Sequence, residues 1–247
     1  MNLIITAGEP IMNRLYPVKT RDGSFTLYSE KYDEHYHSRK SGAFDETMHK
    51  HVIPAVDHIL QKNPDVISIL DICFGLGYNT IATLYYLDQK GYMGDVEIFS
   101  PELDEELVRS LNLLPYPTEL LAYLPVVSQL SRQLHFNNEF MNITIIIGDA
   151  VELVRDTVKK FDIVYQDAFS RKNNPELWSE AYFGNIFNLL NDGGILTTYS
   201  QAKGIRKIMK AVGFTLYEHD FPKTSPVRPG TLAVKHGTLP LNEIELG

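Results

Sequence analysis

Ser68-Ile-Leu-Asp71-Ile-Cys73-Phe-Gly75-Leu-Gly77-Tyr-Asn79-Thr80 decides how this chain is read. The apolar, β-branched run 66–72 is the length of a buried strand, the glycine-containing loop 74–79 ends it, and 80–89 has the composition of a helix. Strand, glycine turn and helix in that order make the first βα unit of an open α/β sheet. Such sheets bind ligands beyond the carboxyl ends of their strands. Glycine there lets a ligand approach the backbone with no Cβ in the way. Gly75 and Gly77, with Asp71, Cys73, Phe74 and Asn79 around them, are therefore candidate ligand contacts.

Outward from this turn, acids recur at strand ends. A second strand, 96–99, leads to Glu102, at the spacing where such folds set a carboxylate against a ribose diol. One carboxylate accepts from two neighbouring hydroxyls. A third strand, 143–147, leads to Gly148-Asp149-Ala150, where Asp149 either accepts from an adenine amino group or caps the next helix. A fourth, 161–166, leads to Asp167-Ala168-Phe169 at the mouth of the same crevice. Carboxylates at four successive strand ends would repel a phosphate. G-x-x-x-x-G-K-[ST] is absent, and Thr80 stands where a dinucleotide fingerprint has its third glycine. The set suits an adenosyl sulfonium with no phosphate, S-adenosylmethionine (SAM), with Asp71 accepting from its ammonium directly or through water.

The remaining pattern continues the alternation. Helices are expected at 43–61 (kinked or broken at Pro54), 105–113, 119–134, 151–159, 178–190 and 205–212, the last ended by Gly213. Further strands are expected at 194–199, 214–218 and 231–235. The fold class is α/β: a Rossmann-like, mostly parallel doubly wound sheet with both-face-buried strands such as 143–147. Two late strands imply a C-terminal antiparallel hairpin, which marks the class I SAM-dependent methyltransferase variant. Asp22-Gly23 signals a hairpin in a small N-terminal extension. The expected domains are 1–45, a β-rich extension capping the site, and 46–247, the methyltransferase domain.

At 247 residues and 44% hydrophobic, the chain can build a sizeable core. A single cysteine excludes an internal disulfide and a Cys-rich zinc site, and the scattered histidines suggest no metal. No apolar run is long enough to span a membrane. The start MNLIITAGEPIMNRLYP has no basic region before its apolar stretch, so no signal peptide and a cytoplasmic location are expected. The net charge of -8 argues against a nucleic-acid binder taken as a whole. Its distribution is uneven: residues 51–199 carry 9 Lys/Arg against 20 Asp/Glu, whereas 200–236 carry 7 (Lys203, Arg206, Lys207, Lys210, Lys223, Arg228, Lys235) against 2 (Glu218, Asp220). That local excess is either a solvated helix face or an edge that contacts phosphates.

Three groups of residues carry a resemblance: Asp22-Gly23-Ser24 with Thr26-Leu27; Tyr36-His37-Ser38 with Gly42-Ala43; and Asp167-Ala168-Phe169 followed by Asn174-Pro175-Glu176-Leu177-Trp178. From about Thr20 to Val234 the chain resembles the methyltransferase domain of the MnmC family, bacterial enzymes that complete 5-methylaminomethyl-2-thiouridine at the tRNA wobble position. It is most similar to the stand-alone versions without the fused FAD oxidase. The resemblance implies Glu102 on the ribose, Asp149 on the adenine side, and Asp167 near the methyl and the acceptor amine. It also implies a tRNA anticodon loop as partner, with separate upstream modification enzymes supplying the substrate. The family commonly has glycine where this chain has Cys73, which otherwise reads as a small buried hydrophobe. Trp178 reads as helix core. Tyr28, Tyr36 and His37 are either a substrate-facing cap or surface aromatics, and Phe169 joins them as a candidate substrate contact. Lys203, Arg206, Lys207 and Arg228 are the candidate phosphate contacts.

The expected reaction is N-methylation of the aminomethyl group of 5-aminomethyl-(2-thio)uridine at tRNA position 34, with Asp167 as the catalytic residue that orients the amine. Aminopropyl transfer of the spermidine-synthase type, methylation of a small-molecule amine, and a non-catalytic binding module are the competing readings.

Overall fold

The structure is a computed structural model that describes residues 15–219, 221 and 224–246. Most of the N-terminal stretch before the Asp22-Gly23 turn, and Asp220 and Lys223 of the basic stretch, lie outside the described residues. β1 (Leu15–Lys19), β2 (Phe25–Ser29) and β3 (Glu34–His35) form a small antiparallel sheet. The turn between β1 and β2 docks on the start of α1 (Ala43–Thr47). Asp22 accepts from Thr20 Oγ1 at 2.6 Å, Ser24 N at 3.0 Å and Asp45 N at 2.9 Å, and Ser24 Oγ accepts from Ala43 N at 3.0 Å. The turn thus caps a helix distant in sequence. A Cβ at Gly42, whose φ is 98°, would strike the Asp22 carboxyl at 2.3 Å, so the Asp22-Gly23-Ser24 and Gly42-Ala43 marks are two halves of one joint.

The expected helix at 43–61 is a continuous segment in three parts: α1, a π turn Met48–Val52, and α2 (Ile53–Leu60). The expected boundary at residue 45 falls inside α1. Pro54 does not break the segment. It has no N–H to offer the carbonyl four residues back, and the wider turn just before it accommodates the missing bond.

The main sheet is built from β4 (Val66–Ile72), β5 (Asp95–Glu102), β6 (His135–Asn137), β7 (Met141–Ile147), β8 (Phe161–Gln166), β9 (Leu190–Thr198), β10 (Thr215–Glu218) and β11 (Thr231–Val234). Its order is β10-β11-β9-β8-β4-β5-β7-β6. The strands from β7 to β9 run parallel, while β10, β11 and β6 pair antiparallel to their neighbours. The expected mostly parallel sheet with a C-terminal antiparallel hairpin is therefore present. Along β4, Ile67 and Ile69 enter one apolar layer and Leu70 and Ile72 the other, so each face of the strand supplies a core. α3 (Tyr78–Gln89) packs in the first layer, and α6 (Ala150–Asp156), α7 (Glu180–Leu189) and α8 (Lys203–Ala211) in the second.

Three expectations need correction. The run 143–147 is not buried on both faces: Thr144, Ile146 and Ile147 are half-buried, because only short β6 lies outside β7. The helix expected at 119–134 is a 3-10 stretch Thr118–Tyr123 followed by α5 (Leu124–Gln133), where Pro125 opens the α-helix. The helix expected at 105–113 stops as α4 (Glu105–Ser110) and tightens into a 3-10 turn.

Chain order reverses at β4. Its successors β5 and β7 lie to one side, and β8 and β9 to the other. The strand-end acids therefore meet at one crevice.

Candidate active site

A cavity of about 640 Å³ opens beyond the carboxyl ends of β4, β5, β7 and β8. Its wall includes Cys73, Gly75, Glu102, Asp149, Ala150, Asp167 and Phe169, and the N-terminal sheet adds Tyr32, Glu34, Tyr36 and His37. Phe74 and Asn79 line a small recess continuous in sequence with it, beside Asp167. Among the described residues, nine carboxylates and one ammonium, that of Lys31, line the main cavity. Such a surface attracts cations and repels phosphates.

Each acid is held by a different local device. Glu102 is buried at the end of β5. Its two oxygens accept from Gly75 N and Asp104 N, each at 2.8 Å, so the carboxylate fixes the glycine loop it faces. Burial pushes its carboxyl up, against those backbone donors. Asp149 is exposed and caps α6, accepting from Val151 N at 2.7 Å; it lines the cavity at the same time, so both readings of it hold structurally. Asp167 lies on the loop after β8. Burial would raise its carboxyl, but His51, His37 and Asn79 outweigh burial and hold it below the ordinary value. That loop is pinned from beneath: buried Trp178 donates Nε1–H to Phe169 O at 2.9 Å, and Tyr199 donates to Ala168 O at 3.0 Å. It is also pinned from above. Glu34 accepts from Ser170 N at 3.1 Å and Asn173 Nδ2 at 2.7 Å, tying the N-terminal sheet to the loop.

Asp71 sits below the cavity rather than on its wall. It is fully buried and accepts from Thr80 Oγ1 at 2.8 Å and Asn79 Nδ2 at 3.3 Å. Asn79 Nδ2 also reaches Asp167 at 3.2 Å, so this amide, rather than Asp71, meets the recess. Burial, against the two donors, raises the Asp71 carboxyl to about 8. A folded-state value raised this way favours the protonated protein. The contribution is full below the unfolded value and is lost as pH climbs through about 8. Asp71→Asn should therefore melt less pH-sensitively than the parent between pH 4.5 and 8.5, with the parent losing on the order of a few kcal/mol over that window. Parallel melting curves check this; identical slopes would contradict it.

Gly77 has φ 72° and caps α3 without lining the cavity; a Cβ there would meet the Phe74 ring at 3.0 Å. Cys73 takes φ 62°, a left-handed conformation that costs an L residue roughly 1–2 kcal/mol. Cys73→Gly is expected to raise stability by about 1 kcal/mol, or a few degrees in Tm. A lowered Tm would contradict that reading.

Several sequence candidates do not reach the cavity. Tyr28 bonds to Asp33 and packs edge-on against His35 instead. Arg206 is spent on Glu218 at 2.5 Å and Thr231 Oγ1 at 2.9 Å, inside the fold. Lys203, Lys207 and Arg228 are exposed but off the wall. In return, the structure brings in residues that sequence reasoning passed over: Glu34, Glu46, Tyr32 and Tyr199 on the wall, and His51 behind it beside Asp167. Tyr32 and Phe169 stack at 4.5 Å, and Tyr36 leans on Phe169 at 4.9 Å, forming an aromatic lip.

The wall fits SAM on its own evidence. Asn79 Oδ1 is a buried acceptor with no partner, suited to an ammonium. A Cβ at Gly75 would project into the cleft beside Tyr36, 3.4 Å from its ring. Among the described residues no group of three or more potential metal ligands occurs, and no helix is long and apolar enough to cross a membrane.

Comparison with known proteins agrees with this geometry. Residues 114–236 match a family of S-adenosyl-L-methionine-dependent methyltransferases. The crystal structure of MnmC2 from Aquifex aeolicus superposes with a TM-score of 0.82 at 30% identity, covering 93% of this chain and 73% of that one. An uncharacterised protein of Methanocaldococcus jannaschii is 32% identical over 92% of this chain and 61% of its own length. The tRNA 5-methylaminomethyl-2-thiouridine biosynthesis bifunctional protein MnmC of Leptospira borgpetersenii is 27% identical over 77% of this chain. This chain covers only 31% of that bifunctional protein. A methyltransferase is thereby distinguished from an aminopropyltransferase or an inert module. The chain belongs to the MnmC-like family of SAM-dependent methyltransferases.

Proposed function

We propose that this chain methylates the primary amine of a 5-aminomethyl group on uridine at tRNA position 34. The observation that carries this reading is the charge of the cleft. Its carboxylate-rich wall, with Asp167 at the floor, suits an amine acceptor and rejects phosphate from the reaction chamber itself. The name of the bifunctional relatives, for tRNA 5-methylaminomethyl-2-thiouridine biosynthesis, matches this product.

Bound SAM supplies an electrophilic methyl on a sulfonium. Glu102 would hold its ribose hydroxyls, Asp149 and Ala150 its adenine side, and the Asn79 amide oxygen its ammonium. The residues of the chain then have one task, to present a neutral amine in line with the methyl at about 3 to 3.5 Å. Asp167 accepts an N–H of that amine, turns its lone pair inward, and stabilises the positive charge that grows on nitrogen. A carboxylate raises the pKa of a neighbouring ammonium, so Asp167 orients the substrate rather than deprotonating it on arrival. The Tyr32, Tyr36 and Phe169 lip stacks on the splayed base, which a single-stranded anticodon loop can offer. Residues 15 to about 45 then serve as the cap of the site, and the sheet that follows as its catalytic unit.

Phosphates of the loop need cations outside the cleft. Lys203, Arg206 and Lys207 fall in the first half of α8, where cations oppose the helix dipole. With exposed Arg228 they are the proposed phosphate contacts; Arg206, already paired to Glu218, serves by holding the surface in place.

The net charge of -8 favours one second reading, methylation of a small-molecule amine. Nucleoside analysis of tRNA from cells lacking the gene separates the two. Accumulated 5-aminomethyl-uridine is expected, and an unchanged tRNA profile would favour the small molecule.

A further inference from the structure

His51 is fully buried beside the cleft and has been given no part in methyl transfer. Its Nδ1 lies 2.8 Å from Thr197 Oγ1, and its Nε2 lies 3.5 Å from Asp167 Oδ1 without a closer partner. The ring stands edge-on to Tyr165, which leaves it little rotational freedom. A neutral imidazole has one donor and one acceptor, whereas a hydroxyl serves as either. If Nε2 were bare, two lone pairs would oppose each other in a buried space. For a neutral ring the arrangement requires the hydrogen on Nε2, aimed at Asp167, with the Thr197 hydroxyl donating to Nδ1; a doubly protonated ring would also present Nε2–H to Asp167, with Thr197 accepting. Asn79 Nδ2 approaches the other Asp167 oxygen at 3.2 Å. Asn79 thus holds one carboxylate oxygen from the protein side and His51 Nε2 faces the other, at a 3.5 Å separation of the kind that tightens when substrate fills a site.

We propose that His51 is a positioning residue for methyl transfer: its Nε2–H, set by Thr197, fixes the orientation of the Asp167 carboxylate and keeps it anionic toward the acceptor amine. The proposal rests on the role given to Asp167 above. Other charged and titratable groups also face this pair. His37 comes from the loop after β3 and is itself faced by Glu46 of α1 and Lys50 of the π turn; Asp71 and Cys73 come from the end of β4, and Tyr199 from the end of β9. Glu102 of β5 acts on Asp71 and Cys73 behind the pair, and His219 approaches His51 from the end of β10. His51 differs from all of them in reaching Asp167 within ion-pair distance while its far nitrogen is anchored to the sheet.

Nitrogen-15 NMR of the histidine-labelled protein reads the tautomer without any substrate. A protonated Nε2 is expected, and a bare Nε2 overturns the proposal. Carbon-13 NMR of labelled aspartate, with Asp167 assigned through Asp167→Asn, should show the Asp167 titration moving to higher pH in His51→Leu and in Thr197→Val. The second variant keeps the test decisive if the first does not fold. An Asp167 titration unmoved in whichever of these variants folds overturns the proposal. In turnover, His51→Leu is expected to lower kcat about 100-fold with little change in SAM affinity. His51→Gln, which still presents an N–H, should recover about tenfold of that loss. Should the parent protein methylate no aminomethyl-uridine tRNA, the acceptor assignment fails while the two NMR readings still decide the role of His51.

Discussion

Asp167→Ala is expected to lower kcat for methyl transfer by about 1,000-fold, with SAM affinity changed by less than about fivefold. The size follows from two losses at one atom group. The amine loses the acceptor that turns its lone pair toward the methyl, and the transition state loses the negative charge facing nitrogen. Single electrostatic contacts of this kind contribute about 100- to 1,000-fold, and misorientation adds to that. Asp167→Asn, which keeps volume and one acceptor, should lose less, about 100-fold, and should melt near the parent temperature. Single-turnover rates with saturating SAM separate chemistry from binding. Near-parent turnover by Asp167→Ala would remove this residue from the mechanism.

Glu102→Ala should show the opposite split. It is expected to weaken SAM binding by about 100-fold, on the order of 3 kcal/mol, because hydrogen bonds to a charged group contribute about 1.5–3 kcal/mol each. The carboxylate serves twice. Its proposed ligand is the ribose diol, and its observed partners are Gly75 N and Asp104 N at 2.8 Å. Truncation leaves the Gly75 N–H without an acceptor inside a buried loop, so the loop itself should loosen. Calorimetry with SAM checks this. Glu102→Gln, which keeps one carbonyl acceptor, should bind between the two. Undiminished affinity in Glu102→Ala would place the ribose elsewhere.

Much of this site was legible because strand ends are legible. β4 and β8 are bounded as their apolar runs suggest, and the residue that follows such a run in a parallel sheet lies at the ligand end. Glu102, Asp149 and Asp167 are each placed by that rule. Asp71 shows its limit. A strand-end acid also has a depth, and Thr80 and Asn79, one helical turn away, claim it from below the cleft. Tyr28 shows another limit, since position on a hairpin strand does not tell which partner the ring will meet. His51 was hidden by Pro54 and by its polar neighbours His49 and Lys50, which make the segment look like a helix surface. A π turn changes which residues share a face, and nothing in a simple 3.6-residue period announces it. The basic stretch of α8 was visible as composition, but Arg206 is bound to Glu218 across β10, a contact that only tertiary structure supplies.

The N-terminal sheet connects these points. Its Asp22 turn is locked to α1, and its Glu34 is locked to the Asp167 loop, so the N-terminal sheet and that loop form one hydrogen-bonded unit. The π turn within the same helical segment delivers His51 to the other side of Asp167. The N-terminal sheet and the helical segment that follows it therefore approach Asp167 and its loop from two elements.

The most direct measurement is methyl transfer by the purified protein from isotope-labelled SAM to tRNA carrying 5-aminomethyl-uridine, followed by nucleoside mass spectrometry. The expected result is label on the aminomethyl nitrogen at the wobble position, present with the parent protein and lost with Asp167→Ala. Label on another atom or nucleoside, or efficient labelling by Asp167→Ala, would contradict the account.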